Sequence, residues 1–123
     1  MPTDFTISLS HRPGTLVAAS SALGSAGINI EGQCAYMREG LGVYHVLVND
    51  AEMARRALID GGFDIRDERR VVLAQVEDRP GTAAALLTRI AELGVNIDLI
   101  YLATDGRIVL GGPDPAAIQR ALE

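Results

Sequence analysis

His11-Arg12-Pro13-Gly14-Thr15 returns as Asp78-Arg79-Pro80-Gly81-Thr82, and Gly27-Ile28-Asn29-Ile30 returns as Gly94-Val95-Asn96-Ile97. The step is 67 residues for both motifs. One step shared by two separate motifs implies two copies of a single folding unit in a row, and a repeat constrains architecture before any local reading does. Asp50 with Arg56-Ala57-Leu58 returns as Asp114 with Arg120-Ala121-Leu122 at a step of 64, so the second copy is three residues shorter between Asn96 and its last helix. Glu123 then falls opposite Ile59, and the stretch from Asp60 onward has no counterpart in copy two.

Working outward from the motifs, residues 3–10 alternate, with Phe5, Ile7 and Leu9 on one face and Thr6, Ser8 and Ser10 on the other, as in a half-buried strand. Leu16, Ala19, Leu23 and Ala26 recur at helical spacing, and Gly27 stops the helix. Residues 28–38 and 41–48 read as a hairpin about Glu39-Gly40. Asp50 is placed to cap a helix carrying Met53, Ala54, Ala57 and Leu58, which Gly61-Gly62 ends. Residues 63–66 suit a short fourth strand, and Arg66-Asp67-Glu68-Arg69-Arg70 reads as a charged, solvated connection. The second copy repeats the order: strand 71–77, helix 81–93, strand 95–104, an Asp105-Gly106 turn, strand 107–111, and a helix opened by Asp114-Pro115.

The predicted fold class is therefore α+β: two tandem ferredoxin-like βαββαβ sandwiches, antiparallel sheets with helices on one face, the second lacking its last strand. The modules are expected at residues 1–68 and 69–123. Such a fold hosts many functions, so the activity has to come from particular residues.

Composition narrows the classes. Of the chain's 123 residues 48% are hydrophobic but only 4% aromatic, so its cores are built from Ala, Val, Leu and Ile. A net charge of −5 disfavours nucleic acid and anionic membrane surfaces, which need a basic stripe. No apolar run approaches the roughly 18 residues of a membrane span, and Met1-Pro2-Thr3-Asp4 does not resemble a signal peptide. With one cysteine, Cys34, no internal disulfide is possible, and a cytoplasmic protein is the plain expectation. Two histidines 34 residues apart and no clustered carboxylates supply neither a nucleophile–base pair nor a metal set, so no enzyme and no cofactor are expected. His45, mid-strand, reads as packing or a surface hydrogen bond, and Cys34 as a small buried hydrophobe.

The candidate ligand site is the strand-to-helix turn. In Asp78-Arg79-Pro80-Gly81-Thr82, Pro80 stiffens the turn and Gly81 lets a ligand approach the backbone. The helix start aims N–H groups outward, which suits a carboxylate, and Asp78 suits an ammonium. Pro-Gly serving only to turn the chain is the other reading, as is Asn29 or Asn96 serving only to satisfy a turn.

The combination of Arg-Pro-Gly-Thr, a helix, and Gly-x-Asn-Ile opening the next strand resembles the ACT domain, a family of small regulatory modules that bind amino acids. The resemblance covers nearly the whole chain as two modules. It implies ligands held between the Pro-Gly loop of one module and the Asn-Ile strand start of the other. One site would join Asp78, Gly81 and Thr82 to Asn29 and Ile30; the second would join His11, Gly14 and Thr15 to Asn96 and Ile97. His11 departs from the family's usual acidic residue or Asn, which favours the Asp78 site. Arg12 and Arg79 read as solvated, with a lesser role at a ligand carboxylate. The implied function is a regulatory amino-acid-binding protein that signals to an enzyme or regulator. The alternative is a ligand-free assembly module; an RNA-binding sheet would need basic and aromatic residues.

Assembly is the last expectation. With no fourth strand in copy two, strand 71–77 should present an open edge, a hazard unless paired. Leu73, Ile100 and Leu102 are placed on the sheet face away from the helices, while copy one puts Thr6, Ser8, Gln33 and Ala35 there. A homodimer is the expected outcome.

Overall fold

The structure is a computed structural model and describes residues 1–123. The chain divides into two compact units, Pro2–Arg69 and Arg70–Glu123, the latter together with Met1. The first contains β1 (Thr3–Ser10), α1 (Thr15–Ser25), β2 (Gly32–Arg38), β3 (Leu41–Val48), α2 (Ala51–Asp60) and β4 (Asp64–Arg70). The second contains β5 (Val72–Gln75), α3 (Thr82–Glu92), β6 (Leu99–Ala103), β7 (Arg107–Gly111) and α4 (Pro115–Ala121).

In the first unit the strands lie in the order β4-β1-β3-β2, the 4-1-3-2 arrangement of a ferredoxin-like sandwich. Both hydrogen-bonded pairs that flank β3 are antiparallel, Phe5 facing Val46 and Gln33 facing Val46 from the other side. Phe5, Ile7, Leu9, Tyr44, Val46 and Val48 form one buried face. Two helices close it, through Ala19 and Leu23 on α1 and Ala54 and Leu58 on α2, each pair one turn apart. Asp50 starts α2 by accepting the Met53 N–H at 3.0 Å.

The second unit follows the same plan in the order β6-β7-β5. Val72, Ala74, Ile108 and Leu110 form its core face, covered by Leu86 and Ile90 of α3 and Ile118 and Ala121 of α4. Leu86 stands 67 residues after Ala19, and Ile90 after Leu23, so the helix contacts recur at the step of the sequence motifs. Asp114 caps α4 through the Ala117 N–H at 3.1 Å. β5 has a strand neighbour, β7, on one side.

Three readings of the sequence change. The strand after Gly-x-Asn-Ile begins later than expected, at Gly32 and Leu99 rather than at Ile28 and Val95. The reason is local: Gly27 and Ile28 donate their N–H groups to Gly24 and Leu23, and Gly94 and Val95 donate theirs to Ala91 and Ile90. Those amides finish the helix and cannot serve a ladder. The first amide to reach the sheet is Glu31 (to Leu47 O, 2.9 Å), and in the second unit Asp98 (to Gly111 O, 2.9 Å).

Because six residues lie outside regular structure between each helix and the next strand, face parity does not carry through them. Ile100 and Leu102 face Leu110 and Ile108, both core residues, and so belong to the helix-side face of β6. Gln33 and Ala35 sit likewise on the helix side of β2. Leu73 does lie on the opposite face, across from Val109.

The charged stretch Arg66–Arg70 is also not a connection but most of β4. Phe63 and Ile65 anchor this end strand on the core, and an end strand tolerates charge. Glu68 receives the Arg55 guanidinium of α2 on both oxygens, with Nε–Oε2 at 2.8 Å. These hydrogen bonds, offset by some burial, hold the Glu68 carboxyl below its ordinary range. A carboxylate held low in the folded state adds stability that is complete above its unfolded pKa, about 4.3, and is lost as pH falls through the folded value. Glu68→Gln is therefore expected to melt lower than the parent at pH 7, with the two curves converging below about pH 4; thermal unfolding followed by circular dichroism across pH 3–7 measures this.

Candidate functional site

Each unit turns from its first strand into its first helix through the same backbone device. Gly14 and Gly81 hold φ of 91° and 89°, a left-handed conformation that an L side chain resists, although open space surrounds the position of each missing Cβ. The conserved shape of the turn is tied by threonine. Thr15 Oγ1 donates to Ser10 O at 3.0 Å and Arg12 O at 3.2 Å, and Thr82 Oγ1 donates to Glu77 O at 2.7 Å and Arg79 O at 3.1 Å. The same four carbonyls also accept backbone N–H groups: Arg12 and Thr15 in the first loop, Arg79 and Thr82 in the second. A carbonyl offers two lone pairs, so these four acceptors are spent within the loops themselves. Neither α1 nor α3 has a side-chain cap or an acidic residue in its first turn. What each loop presents outward is hydrogen-bond donors and the positive end of a helix.

The loops share a backbone but not a charge. At the position of Ser10 the second loop has Glu77, which ion-pairs with Arg79 at 2.8 Å, and Asp78 stands exposed beside it. Arg12, exposed and outside every ion pair of the structure, has no such partner, and His11 takes the place of Asp78. The hydroxyls of Thr15 and Thr82, expected to meet a ligand, are directed into the loops themselves.

The other expected residues are placed as follows. Asn29 is exposed, and its Nδ2 hydrogen-bonds the Glu31 carboxylate, which also accepts from Asn49 at 3.4 Å. Ile30 and Ile97 are half-buried and pack against the cores of their own units. Asn96 lines a small cavity of about 200 Å³ with Val95, Pro113 and Asp114, and its carbonyl lies 2.5 Å from where a Cβ at Gly112 would be.

Sequence reasoning missed a concavity beside the first loop. A cavity of about 580 Å³ opens between the His11–Thr15 loop, Leu16 at the start of α1, and Ala35, Tyr36 and Met37 of β2, with Tyr44 and Val43 in its wall. The signal for it was three apolar residues in succession, Ala35-Tyr36-Met37, where a half-buried strand should alternate. Tyr44 keeps its ring toward the core and its hydroxyl satisfied, donating to Gln33 Oε1 at 2.6 Å with Ser20 Oγ at 3.3 Å. Burial pushes the Tyr44 hydroxyl's pKa up, and the Ser20 contact partly offsets this.

His45 is neither a surface group nor mere packing. It is buried on the sheet face away from the helices, with Nδ1 3.0 Å from an Asp4 carboxylate that is wholly buried, and Thr6 Oγ1 3.3 Å away. Cys34 faces His45 across the ladder and is half-buried. Burial first, and then the Asp4 charge, push its thiol up, which keeps it protonated and a weak nucleophile at neutral pH.

The ACT domain family model matches residues 70–122, the second unit. No curated protein sequence matches the chain. Among solved structures, the protein BT0572 from Bacteroides thetaiotaomicron superposes with a TM-score of 0.85 at 24% identity, over 98% of this chain and 85% of that one. The regulatory subunit of aspartate kinase from Thermus thermophilus, in its ligand-free form, gives 0.69 at 18% identity over 99% and 92%. The corresponding subunit from Thermus flavus gives 0.68 at 19% identity over 98% and 90%.

If the threonine ties hold the loops, Thr15→Val and Thr82→Val should each lower unfolding free energy by about 0.5–1.5 kcal/mol, the worth of the lost hydrogen bonds, while Thr→Ser at either position should keep most of it; urea unfolding decides the point. Residues 70–122 match the ACT domain family model, and nearly the whole chain shares its fold with solved regulatory subunits of aspartate kinase.

Proposed function

We propose that this chain is a regulatory protein that binds a free amino acid at its Pro-Gly loops and passes that state to an enzyme or regulator of amino-acid metabolism. The observation that carries the reading is the pair of loops whose acceptors are internally spent and whose donors face outward at a helix start. The ACT domain at residues 70–122, and the likeness in fold to subunits titled as regulatory for aspartate kinase, support it.

In the second loop, Asp78 is the partner of the ligand ammonium and the amides following Gly81 receive the carboxylate. Arg79 is screened by Glu77, so it adds little there. Calorimetry with the twenty amino acids should give heat for a small subset, and Asp78→Ala should weaken binding by about 1.5–3 kcal/mol through loss of a charge-assisted contact. No heat with any amino acid at millimolar concentration would refute the reading.

Self-association belongs to the same proposal, and it also has an observation favouring the rival reading of a ligand-free assembly module. Ile100 and Leu102 on β6 are 47% and 74% exposed, an apolar pair on a strand that patterning would hide. The chain is expected to run as a homodimer in sedimentation at micromolar concentration, and Leu102→Lys to shift it toward 13.0 kDa. A parent chain that sediments as a monomer removes the dimer from the reading.

A further inference from the structure

We infer that the cavity beside the first Pro-Gly loop is a binding site for a carboxylate with a bulky apolar body, aromatic ahead of aliphatic, and that it takes this acid without reading an ammonium. This rests on the proposed ligand role of the Pro-Gly loops and gives one of them a ligand class.

Size comes first. At about 580 Å³ the cavity falls within the range, roughly 300–1,000 Å³, of small-molecule sites, and far exceeds the needs of a small polar amino acid. Its walls are apolar. Leu16 and Met37 are 46% and 45% exposed and both line this one concavity. Tyr44, 2% exposed with its hydroxyl held by Gln33 and Ser20, closes the wall behind them and brings no free polar group. The Met37 thioether suits a flat, polarizable guest.

Charge then chooses which end of the ligand is held. The lining contains Arg12 and His11 and no Asp or Glu. The loop carbonyls at Ser10 and Arg12 are each already engaged twice, so an ammonium finds no negative charge in the lining and neither of these two acceptors open. A carboxylate finds the Arg12 guanidinium, which is left available because Ser10 stands where the second loop has Glu77. The two loops are thus built for different ligands: the second for a zwitterion, the first for an acid.

The whole chain is to be titrated with L-phenylalanine, 3-phenylpropionate, phenethylamine and L-serine, by calorimetry and by NMR of its methionine methyls. Met37 lines the cavity and Met53 does not, so one methyl reports the site and another controls for it. Phenylpropionate is expected to bind within about threefold of phenylalanine, and serine at least about tenfold more weakly, since a buried phenyl group is worth that much. Phenethylamine should leave the Met37 methyl unmoved, and Arg12→Gln should weaken both acids. Loss of binding when the ammonium is removed, serine binding as well as phenylalanine, or a static Met37 methyl overturns the inference. Small polar amino acids binding in an Asp78-dependent manner with Met37 unmoved would sink this site and leave the regulatory reading standing. Phenylpropionate shifting Met37 while no amino acid binds anywhere would do the reverse.

Discussion

Each unit of this protein must turn from a buried first strand into the helix that covers it within a few residues, and a threonine hydroxyl holds that turn by donating to two carbonyls at once. The left-handed glycine before it makes the turn sterically possible, and the threonine makes it the same turn both times. Everything functional in the loops follows from that economy. Spent carbonyls leave only donors for a partner, and the helix dipole adds positive potential at the same place. A loop that kept its carbonyls open would be an indifferent receptor; this one is biased toward anions by its own hydrogen bonds.

On this common backbone the side chains diverge. Glu77 and Asp78 give the second loop two carboxylates, one of them paired with Arg79, while Ser10 leaves Arg12 of the first loop unpaired beside an apolar cavity. Duplicated backbones with different charges are a direct route to two ligand preferences within one chain, because a single substitution at the residue before the loop decides whether the arginine is neutralised. The small energy of an exposed pair such as Arg79–Glu77 suffices for that purpose, since what matters is the field at the loop and not the stability of the fold.

The sheet of the first unit carries a further polar element. Asp4 and His45 are both buried, and Thr6 stands within hydrogen-bond distance of each. A buried carboxylate is costly unless it is partnered, so removal of either member of this pair, which links β1 to β3, would strand the other. Cys34, across the ladder from His45, feels the same carboxylate and is kept as a neutral thiol.

The sequence by itself determined the repeat, the βαββα order, the caps at Asp50 and Asp114, the helix faces and the turn at Pro-Gly-Thr. All of these depend on interactions between residues a few positions apart, which local pattern records. It did not determine the sheet face of Ile100 and Leu102, because six irregular residues after each helix break the count of alternation on which that assignment depended. It read Arg66–Arg70 as solvated connection, because only the packing of Phe63 and Ile65 on the core, with Arg55 arriving from α2, turns a charged stretch into a strand. The burial of Asp4 with His45 and the cavity under Tyr36 and Met37 were decided by tertiary structure alone. Residues far apart in the chain supply the two sides of each, and local periodicity carries no information about which distant side chain will stand opposite.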